Sequence, residues 1–217
     1  MKVLGIDESG RGAVIGPLVI AGVMVDDGDF GELRRIRVKD SKLLSKKRRE
    51  ELYNLIKEIS SDFIILQIPP GKVDKARERN RLNRLEVEHF AEIINTLKPD
   101  RAIVDSPEAN TEKIRREIES KLKCDVEVIA ENKADRKYPV VSAASILAKV
   151  VRDRSIEALE KELGEKIGVG YPSDERTMEF LRKILTRDGE FPDFVRKSWI
   201  TAKRLNGEKK QRKISDY

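Results

Sequence analysis

Short hydrophobic runs alternate with amphipathic helical patterns over most of the chain. Runs with the length and composition of β-strands occupy five segments, at 3–6, 17–25, 63–68, 102–105 and 125–130. Apolar residues at helical spacing define four further segments, at 46–60, 83–97, 111–122 and 140–163. Because strands predominate early and alternate with helices later, the pattern predicts an α/β fold, built as a mixed β-sheet flanked by helices.

The pattern changes towards the C-terminus, where glycine and proline interrupt the apolar periodicity. Ser173 is suited to cap a helix that runs to Leu185, and a second helix is expected to start at 191–193. We therefore predict a helical C-terminal region at 165–206, preceded by an α/β domain at 1–164.

The formal net charge of +6 is concentrated at one end of the chain. Residues 196–217 contain eight Lys or Arg and two acidic residues, which leaves 37 of each charge in residues 1–195. A basic terminus beside a neutral body is typical of proteins that bind nucleic acid or another polyanion, although a solubilising terminus has the same composition. We expect residues 207–217 to form a flexible basic tail.

Composition narrows the class of protein. No apolar stretch approaches the ~20 residues of a membrane span, and the first strand pattern begins at Val3, without a signal peptide before it. The single cysteine, Cys124, excludes an internal disulfide and a cysteine-based metal cluster. These features predict a cytoplasmic protein that does not bind a membrane. We also expect the protein to be a monomer.

The most informative segment is Asp7-Glu8-Ser9-Gly10-Arg11-Gly12, directly after the first strand pattern. Two adjacent carboxylates repel each other, so a divalent metal ion bound through oxygen is their expected partner. Glycine lets the backbone approach a ligand closely, and an arginine between two glycines suits a phosphate group. The glycine spacing matches neither a dinucleotide fingerprint nor a P-loop. The segment therefore indicates phosphodiester chemistry, with a tight turn carrying two surface acids as the alternative.

Two further acids occupy comparable positions. Asp105 ends the strand pattern at 102–105, and Asp135 lies between the pattern at 125–130 and the long helix. Carboxylates gathered at strand ends suit two-metal chemistry, in which paired ions clamp the attacking and leaving oxygens and no nucleophilic side chain is needed. We interpret the single histidine, His89, as a surface residue on a glutamate-rich helix face and not as a metal ligand.

Five segments resemble archaeal ribonuclease HII and follow one another in that family's order. They are Gly-Ile-Asp-Glu-Ser-Gly-Arg-Gly at 5–12, Val-Lys-Asp-Ser-Lys-Leu-Leu-Ser at 38–45, Val-Asp-Ser-Pro at 104–107, the segment from Lys-Ala-Asp-Arg-Lys-Tyr-Pro onward at 133–150, and Gly-Tyr-Pro-Ser-Asp at 170–174. The similarity runs from residue 1 to about 204. Ser9 and Ala13 depart from the alanine and proline associated with those positions, and neither is a ligand.

The resemblance implies an RNase H-like fold with a helical C-terminal part. It implies endonucleolytic cleavage of the RNA strand of RNA/DNA hybrids, and of single ribonucleotides embedded in duplex DNA. The products would carry 5′-phosphate and 3′-hydroxyl ends, and the cofactor would be Mg²⁺ or Mn²⁺ in a two-metal site. A role in ribonucleotide removal during DNA replication and repair follows from the same resemblance.

The resemblance also implies roles for individual residues. The catalytic and metal-binding residues would be Asp7, Glu8, Asp105 and Asp135. The substrate-binding residues would be Gly10, Arg11 and Gly12, which read the ribose 2′-hydroxyl, Tyr171, which stacks on the sugar to the 3′ side, and Lys42, which contacts the scissile phosphate or the neighbouring backbone. From the residues alone, Asp40-Ser41-Lys42 also suits a capped helix start, and Tyr171 also suits a packed tyrosine.

The end of the chain resembles the peptide that binds the sliding clamp PCNA. Its pattern is Gln-x-x-aliphatic-x-x-aromatic, carried here by Gln211, Ile214 and Tyr217. A tail that folds into one helical turn on binding would place Ile214 and Tyr217 on one face for an apolar pocket. A solvated terminus is the alternative.

Two other functions are compatible with parts of this pattern. Another nuclease of the RNase H-like superfamily, such as ribonuclease HIII or a resolvase, would use the same acids on a different substrate. The Gly-Arg-Gly and Gly-Tyr-Pro segments favour an enzyme that reads RNA–DNA junctions. A module that only binds hybrids is disfavoured, because four acids around a phosphate site would weaken binding unless a metal ion were present.

Overall fold

Five strands form one mixed sheet in the computed structural model, which describes residues 1–36, 38 and 44–215, with side chains to residue 208. The strands are β1 (Lys2–Ser9), β2 (Leu18–Asp26), β3 (Asp62–Ile68), β4 (Arg101–Asp105) and β5 (Glu127–Glu131). Their order is β3-β2-β1-β4-β5, with β1 antiparallel to β2 and parallel to β4, and with β4 parallel to β5. The predicted fold class is confirmed.

Nine α-helices accompany the strands in the described part of the chain. They are α1 (Phe30–Arg35), α2 (Lys46–Ile59), α3 (Pro70–Glu78), α4 (Leu82–Leu97), α5 (Thr111–Glu119), α6 (Ala134–Lys137), α7 (Pro139–Leu163), α8 (Glu175–Asp188) and α9 (Ile200–Ser215). Side-chain oxygens of Ser45 and Asn110 cap α2 and α5 by accepting hydrogen bonds from backbone N–H groups. The four helices predicted from the periodicity before residue 164 are all present.

One predicted helix cap is wrong. Helix α8 is capped by Asp174 and not by Ser173, because the Asp174 carboxylate accepts hydrogen bonds from the backbone N–H groups of Val169 at 2.7 Å and Arg176 at 3.2 Å. The same contacts fix the turn before the helix, so the cap and the turn are one hydrogen-bonded unit.

The helix predicted to start at 191–193 is also wrong. The Val195 N–H donates to the Pro192 carbonyl oxygen at 3.1 Å in a turn, and the next helix begins only at Ile200. Phe191, which directly precedes this turn, is buried. Helix α9 continues to Ser215 and therefore extends into the segment expected to be a flexible tail.

The chain forms two compact units, each assembled from separated segments. Unit 1 comprises residues 1–9, 19–67 and 83–151, and unit 2 comprises residues 10–18, 68–82 and 152–217. The sequence-based division at residues 164 and 206 stays a prediction. No described helix has both the length and the apolar character needed to cross a membrane.

The core of unit 1 brings β1 against the first half of α7. Strand β1 can approach this helix only because residue 5 is glycine: a Cβ there would lie 2.4–2.5 Å from backbone atoms of Val140 and Val141. Val140 and Ala144 are fully buried in the resulting hydrophobic cluster. The close approach places the end of β1, with Asp7, beside Ser145 on the helix.

Candidate active site

Parallel strands bring two of the predicted acids together at one edge of the sheet. Ile6 of β1 pairs with Val104 of β4, so the next residue on each strand, Asp7 and Asp105, lies at the same carboxyl edge. Asp105 in turn pairs with Glu131 on β5. Asp7 is 5% exposed and Asp105 is half-buried.

Burial and neighbouring acids perturb the carboxyl group of Asp7. Burial, the neighbouring charge of Asp105 and, more weakly, the charge of Asp135 raise the pKa of Asp7 to about 7. Hydrogen bonds from the Ser145 side chain and from the Glu8 backbone N–H, at 2.7 Å, act in the opposite direction. A buried carboxylate with two acidic neighbours is costly to ionise, and a cation at this edge would remove that cost.

The turn between β5 and α6 carries Asp135 to the same edge. The backbone N–H of Ala134 donates a 2.9 Å hydrogen bond to Asp105 Oδ1, so one predicted acid anchors the turn that bears another. The Asn132 side-chain amide donates to the carbonyl oxygens of Ser106 and Glu108, at 3.0 and 2.7 Å. These contacts attach the turn to the segment that follows β4. The sequence analysis did not predict this role for Asn132.

Lys133 adopts a left-handed conformation immediately before α6, with φ of 58° and ψ of 36°. This region is uncommon for a residue with a side chain and costs about 1 kcal/mol or more. The hydrogen bonds of its neighbours Asn132 and Ala134 hold Lys133 in this conformation. Helix α6 starts directly afterwards, and Asp135 in its first turn is buried.

Glu131, the residue of β5 that pairs with Asp105, is held by a lysine and a tyrosine. Its carboxylate accepts hydrogen bonds from Lys137 Nζ at 2.8 and 2.9 Å and from the Tyr138 hydroxyl at 2.7 Å. Lys137 and then Tyr138 hold the pKa of Glu131 below its usual range. The pairing compensates the charge of Glu131 and holds α6, which carries Asp135, against the end of β5.

Glu8 follows Asp7 on the same strand and is half-buried. Because successive strand residues point to opposite faces, Glu8 and Asp7 leave β1 in different directions. No three His, Cys, Asp or Glu side chains within the described residues converge closely enough to hold a metal ion as they stand. Carboxylate oxygens are nevertheless the kind of ligand that a hard divalent cation prefers. A bound cation would also offset the repulsion between Asp7 and its acidic neighbours. The assignment of all four acids as metal ligands stays a prediction.

The two glycines of the Gly-Arg-Gly loop have different structural roles in unit 2. Gly10 has a φ of +90°, and a Cβ there would lie 2.6 Å from the Arg152 side chain and 2.7 Å from the Pro17 carbonyl oxygen. Gly12 is exposed, and a Cβ there would meet no atom within 4 Å. Packing therefore requires glycine at position 10, whereas at position 12 glycine leaves the backbone open to a ligand.

A buried arginine holds this loop. Arg196 Nε and Nη2 donate to the Gly16 carbonyl oxygen at 3.1 and 3.0 Å, and Nη1 donates to the Arg11 carbonyl oxygen at 3.0 Å. Its backbone N–H donates to the Val14 carbonyl oxygen at 2.8 Å. The side chain is 0% exposed, so Arg196, although counted in the charge of residues 196–217, adds no exposed positive charge to that segment.

Tyr171 lies beside the same loop. The backbone N–H groups of Val14 and Ile15 both donate to the Gly170 carbonyl oxygen, at 2.9 and 3.1 Å. Tyr171 is half-buried, and the Arg152 guanidinium lies 4.4 Å from the centroid of its ring. Unit 2 therefore brings together the substrate-binding residues predicted from the Gly-Arg-Gly and Gly-Tyr-Pro segments.

Several predicted residues fall outside this description. Lys42 and Tyr217 lie outside the described residues, and the side chains of Gln211 and Ile214 are likewise not described. His89 Nδ1 lies 2.7 Å from the Leu85 carbonyl oxygen, one turn earlier on α4.

The sequence matches the protein-family model described as ribonuclease HII over residues 4–202. The chain belongs to the ribonuclease HII family. Ribonuclease HII of Thermococcus kodakarensis is 50% identical over 207 residues, covering 94% of this chain and 90% of that protein. As a member, the protein is an endoribonuclease that acts on the RNA strand of RNA/DNA hybrids, and enzymes of the wider RNase H family depend on divalent metal ions.

Solved structures agree with this family assignment. The crystal structure of ribonuclease H2 from Pyrococcus horikoshii has a TM-score of 0.91 and 43% identity, and covers 97% of this chain and 100% of that chain. The ribonuclease HII in a complex with PCNA from Archaeoglobus fulgidus has a TM-score of 0.85 and 45% identity. The match covers 94% of this chain and 96% of that chain. The RNase H-like fold implied by the sequence is thereby confirmed.

Proposed function

We propose that this ribonuclease HII cuts at single ribonucleotides embedded in duplex DNA as well as within RNA/DNA hybrids. The products are 5′-phosphate and 3′-hydroxyl ends, and the biological role is ribonucleotide removal during DNA replication and repair. The observation that carries the proposal is the buried carboxylate of Asp7, whose pKa is raised by burial and by the charges of Asp105 and Asp135. Carboxylates gathered in this way suit metal-assisted phosphodiester hydrolysis, in which bound cations offset the repulsion between the acids.

Asp7, Glu8, Asp105 and Asp135 would hold two divalent ions, Mg²⁺ or Mn²⁺. When bound, the ions supply an activated water and stabilise the charge that develops on the phosphate oxygens. The chain's own groups orient the ligands. Ser145 and the Glu8 backbone N–H hold the Asp7 carboxylate, and the Ala134 N–H holds that of Asp105. This support keeps the carboxylates in place when no cation is present.

The Gly-Arg-Gly loop supplies recognition in this proposal. A ribose 2′-hydroxyl both donates and accepts a hydrogen bond, so backbone N–H and C=O groups can address it where no side chain intervenes. The open backbone at Gly12 suits that role, and the hydrogen bonds from Arg196 to Arg11 and Gly16 keep the loop in one conformation. Preorganised backbone groups discriminate better than a loop that must order on binding.

Tyr171 would stack on the sugar to the 3′ side of the ribonucleotide. Its half-exposed ring lies on a turn that is hydrogen-bonded to residues 14 and 15 of the loop. An aromatic face tolerates any neighbouring base and adds binding energy without reading sequence. Lys42 would contact the scissile phosphate or the adjacent backbone, as the family resemblance implies.

The C-terminal peptide would bind a sliding clamp. The ribonuclease HII of A. fulgidus has been solved in a complex with PCNA. We assign Gln211, Ile214 and Tyr217 as the contacts in this chain, which we propose to be a monomer. Deletion of residues 211–217 should leave cleavage of a short duplex intact and remove clamp binding measured by calorimetry. Undiminished clamp affinity after the deletion would overturn this assignment.

The substrate proposal is tested with three labelled duplexes of one sequence. The first carries a single ribonucleotide in DNA, the second is an RNA/DNA hybrid, and the third is DNA only. With Mg²⁺ or Mn²⁺, we expect cleavage of the first two, ends that ligase and kinase assays identify as 3′-hydroxyl and 5′-phosphate, and no cleavage after chelation. Cleavage of the hybrid alone would limit the enzyme to hybrids and contradict the proposed reading of a single ribonucleotide.

A further inference from the structure

Arg152, on α7, is the most unusual polar side chain of unit 2. It is 0% exposed, yet its Nε and Nη1 have no hydrogen-bond acceptor among the described residues. Nη2 donates to the Val169 carbonyl oxygen at 2.8 Å, and the Asp153 carboxylate lies 3.9 Å from Nη1, beyond hydrogen-bond distance. A buried cation with two unused donors costs stability, so stability alone does not account for arginine at this position.

The backbone of unit 2 is shaped around this guanidinium. A Cβ on Gly10 would lie 2.6 Å from Arg152 Cδ and Nε, and a Cβ on Gly170 would lie 2.9 Å from Nη2. Both glycines have positive φ, at +90° and +78°. The space for the guanidinium therefore depends on glycine in both segments that resemble substrate-binding motifs.

The guanidinium also contacts Tyr171, the aromatic residue that follows Gly170 in the second of these segments. Arg152 Cζ lies 4.4 Å from the centroid of the Tyr171 ring, within the range of a cation–π contact. A planar guanidinium stacks on an aromatic face, which an ammonium group cannot do. Tyr171 is half-buried, so the contact with Arg152 covers part of the ring and leaves the remainder exposed.

We propose that Arg152 is a positioning residue for Tyr171 and for the Gly-Arg-Gly loop. By stacking on the ring and filling the space beneath Gly10, it fixes the orientation in which Tyr171 meets the sugar next to a ribonucleotide. The guanidinium acts through Tyr171 and does not itself touch the substrate, since it is fully buried. This inference rests on the substrate-binding role proposed for Tyr171.

The test is a double-mutant cycle between Arg152→Met and Tyr171→Ala, with kcat/KM measured on the single-ribonucleotide duplex and on the hybrid. Methionine fills a similar volume without charge, so we expect a melting temperature within about 3 °C of the wild type. We expect kcat/KM on the single-ribonucleotide duplex to fall about 3- to 30-fold, which is the range of a cation–π contact. Cleavage within the hybrid should fall less, and the double variant should be no worse than Tyr171→Ala.

Two variants make the outcome specific. Arg154→Met changes an exposed arginine on the same helix and should alter neither substrate. Arg152→Lys keeps the charge without the planar group and should recover only part of the loss. It also provides the comparison if Arg152→Met does not fold.

Each outcome bears on a definite claim. Losses from Arg152→Met and Tyr171→Ala that multiply in the double variant would show that Arg152 does not act through Tyr171, and would overturn the inference. Equal losses on both substrates together with a lowered melting temperature would reduce Arg152 to a packing role. If wild-type protein fails to cut the single-ribonucleotide duplex, it is the proposed function that fails.

Discussion

Arg196 Nη1 donates a 3.0 Å hydrogen bond to the carbonyl oxygen of Arg11, 185 residues earlier in the chain. Together with the bonds from the same guanidinium to Gly16, it ties the start of unit 2 to its C-terminal part. Both acceptors of these three hydrogen bonds are backbone carbonyl oxygens, so these contacts stabilise the conformation of the loop backbone.

Replacing Arg196 should therefore loosen the loop. Arg196→Met removes the hydrogen-bond donor of the buried Gly16 carbonyl group and of the partly buried Arg11 carbonyl group, which should lower the free energy of unfolding by about 2–4 kcal/mol. We also expect a lower kcat/KM on the single-ribonucleotide duplex, because the loop loses preorganisation. Chemical denaturation and steady-state kinetics check both effects. Lys203→Met, at an exposed position of α9, is the charge-matched control, and equal stability of the two variants would contradict the role assigned to Arg196.

The two glycines of the loop offer a matched pair of substitutions. Gly10→Ala should destabilise the protein by about 1–3 kcal/mol, because its Cβ would meet the Arg152 side chain and the Pro17 carbonyl oxygen at a positive φ. Gly12→Ala should leave stability within about 0.5 kcal/mol of the wild type, because its Cβ meets nothing.

The activity of Gly12→Ala tests whether this glycine contributes to substrate recognition. If the Gly12 backbone approaches the 2′-hydroxyl, Gly12→Ala should reduce cleavage at a single ribonucleotide even though the protein remains stable. Thermal melts and kcat/KM on one preparation of each variant check this. Full activity of Gly12→Ala would remove Gly12 from the recognition site.

Asp7 should make the stability of the metal-free protein depend on pH. Its pKa is raised from 3.8 to about 7 in the folded state, so its protonated form stabilises the fold below pH 3.8, and that contribution is lost as the pH rises through about 7. With a chelator present, the melting temperature of the wild type should therefore fall, relative to Asp7→Asn, between pH 5 and pH 8.

Divalent ions should reverse this effect. Binding of Mg²⁺ or Mn²⁺ at pH 8 should raise the melting temperature of the wild type and not that of Asp7→Asn, because the cation stabilises the ionised carboxylate cluster. Parallel pH profiles for the two proteins in the presence of a chelator, or an equal effect of metal on both melting temperatures, would contradict the electrostatic account of Asp7.

The sequence predicted the sheet and the position of its acids because both follow from local pattern. Asp7 and Asp105 end apolar runs, and parallel strands bring such ends together without further information. The supporting residues could not be predicted in this way. Arg152 and Arg196 are fully buried, whereas arginine in a charged segment ordinarily indicates a solvated surface. Their roles depend on contacts between segments far apart in the chain.

Local chemistry also limited the helix predictions. Ser173 and Asp174 are adjacent capping residues, and only the hydrogen bonds to Val169 and Arg176 distinguish them. The short helices α1 and α3 were not predicted, since each has one buried residue and therefore almost no periodic signal.

The most direct test of the account is single-turnover cleavage of the single-ribonucleotide duplex by Asp7→Asn and Asp105→Asn at saturating Mg²⁺. Asparagine preserves the side-chain oxygens that accept from Glu8 and Ala134, so folding should be nearly unchanged. We expect the rate to fall at least about 100-fold in each variant, while Glu127→Gln, at an exposed acid on β5, stays at the wild-type rate. A folded Asp7→Asn or Asp105→Asn enzyme that cuts at the wild-type rate would contradict the assignment of these carboxylates as the catalytic centre.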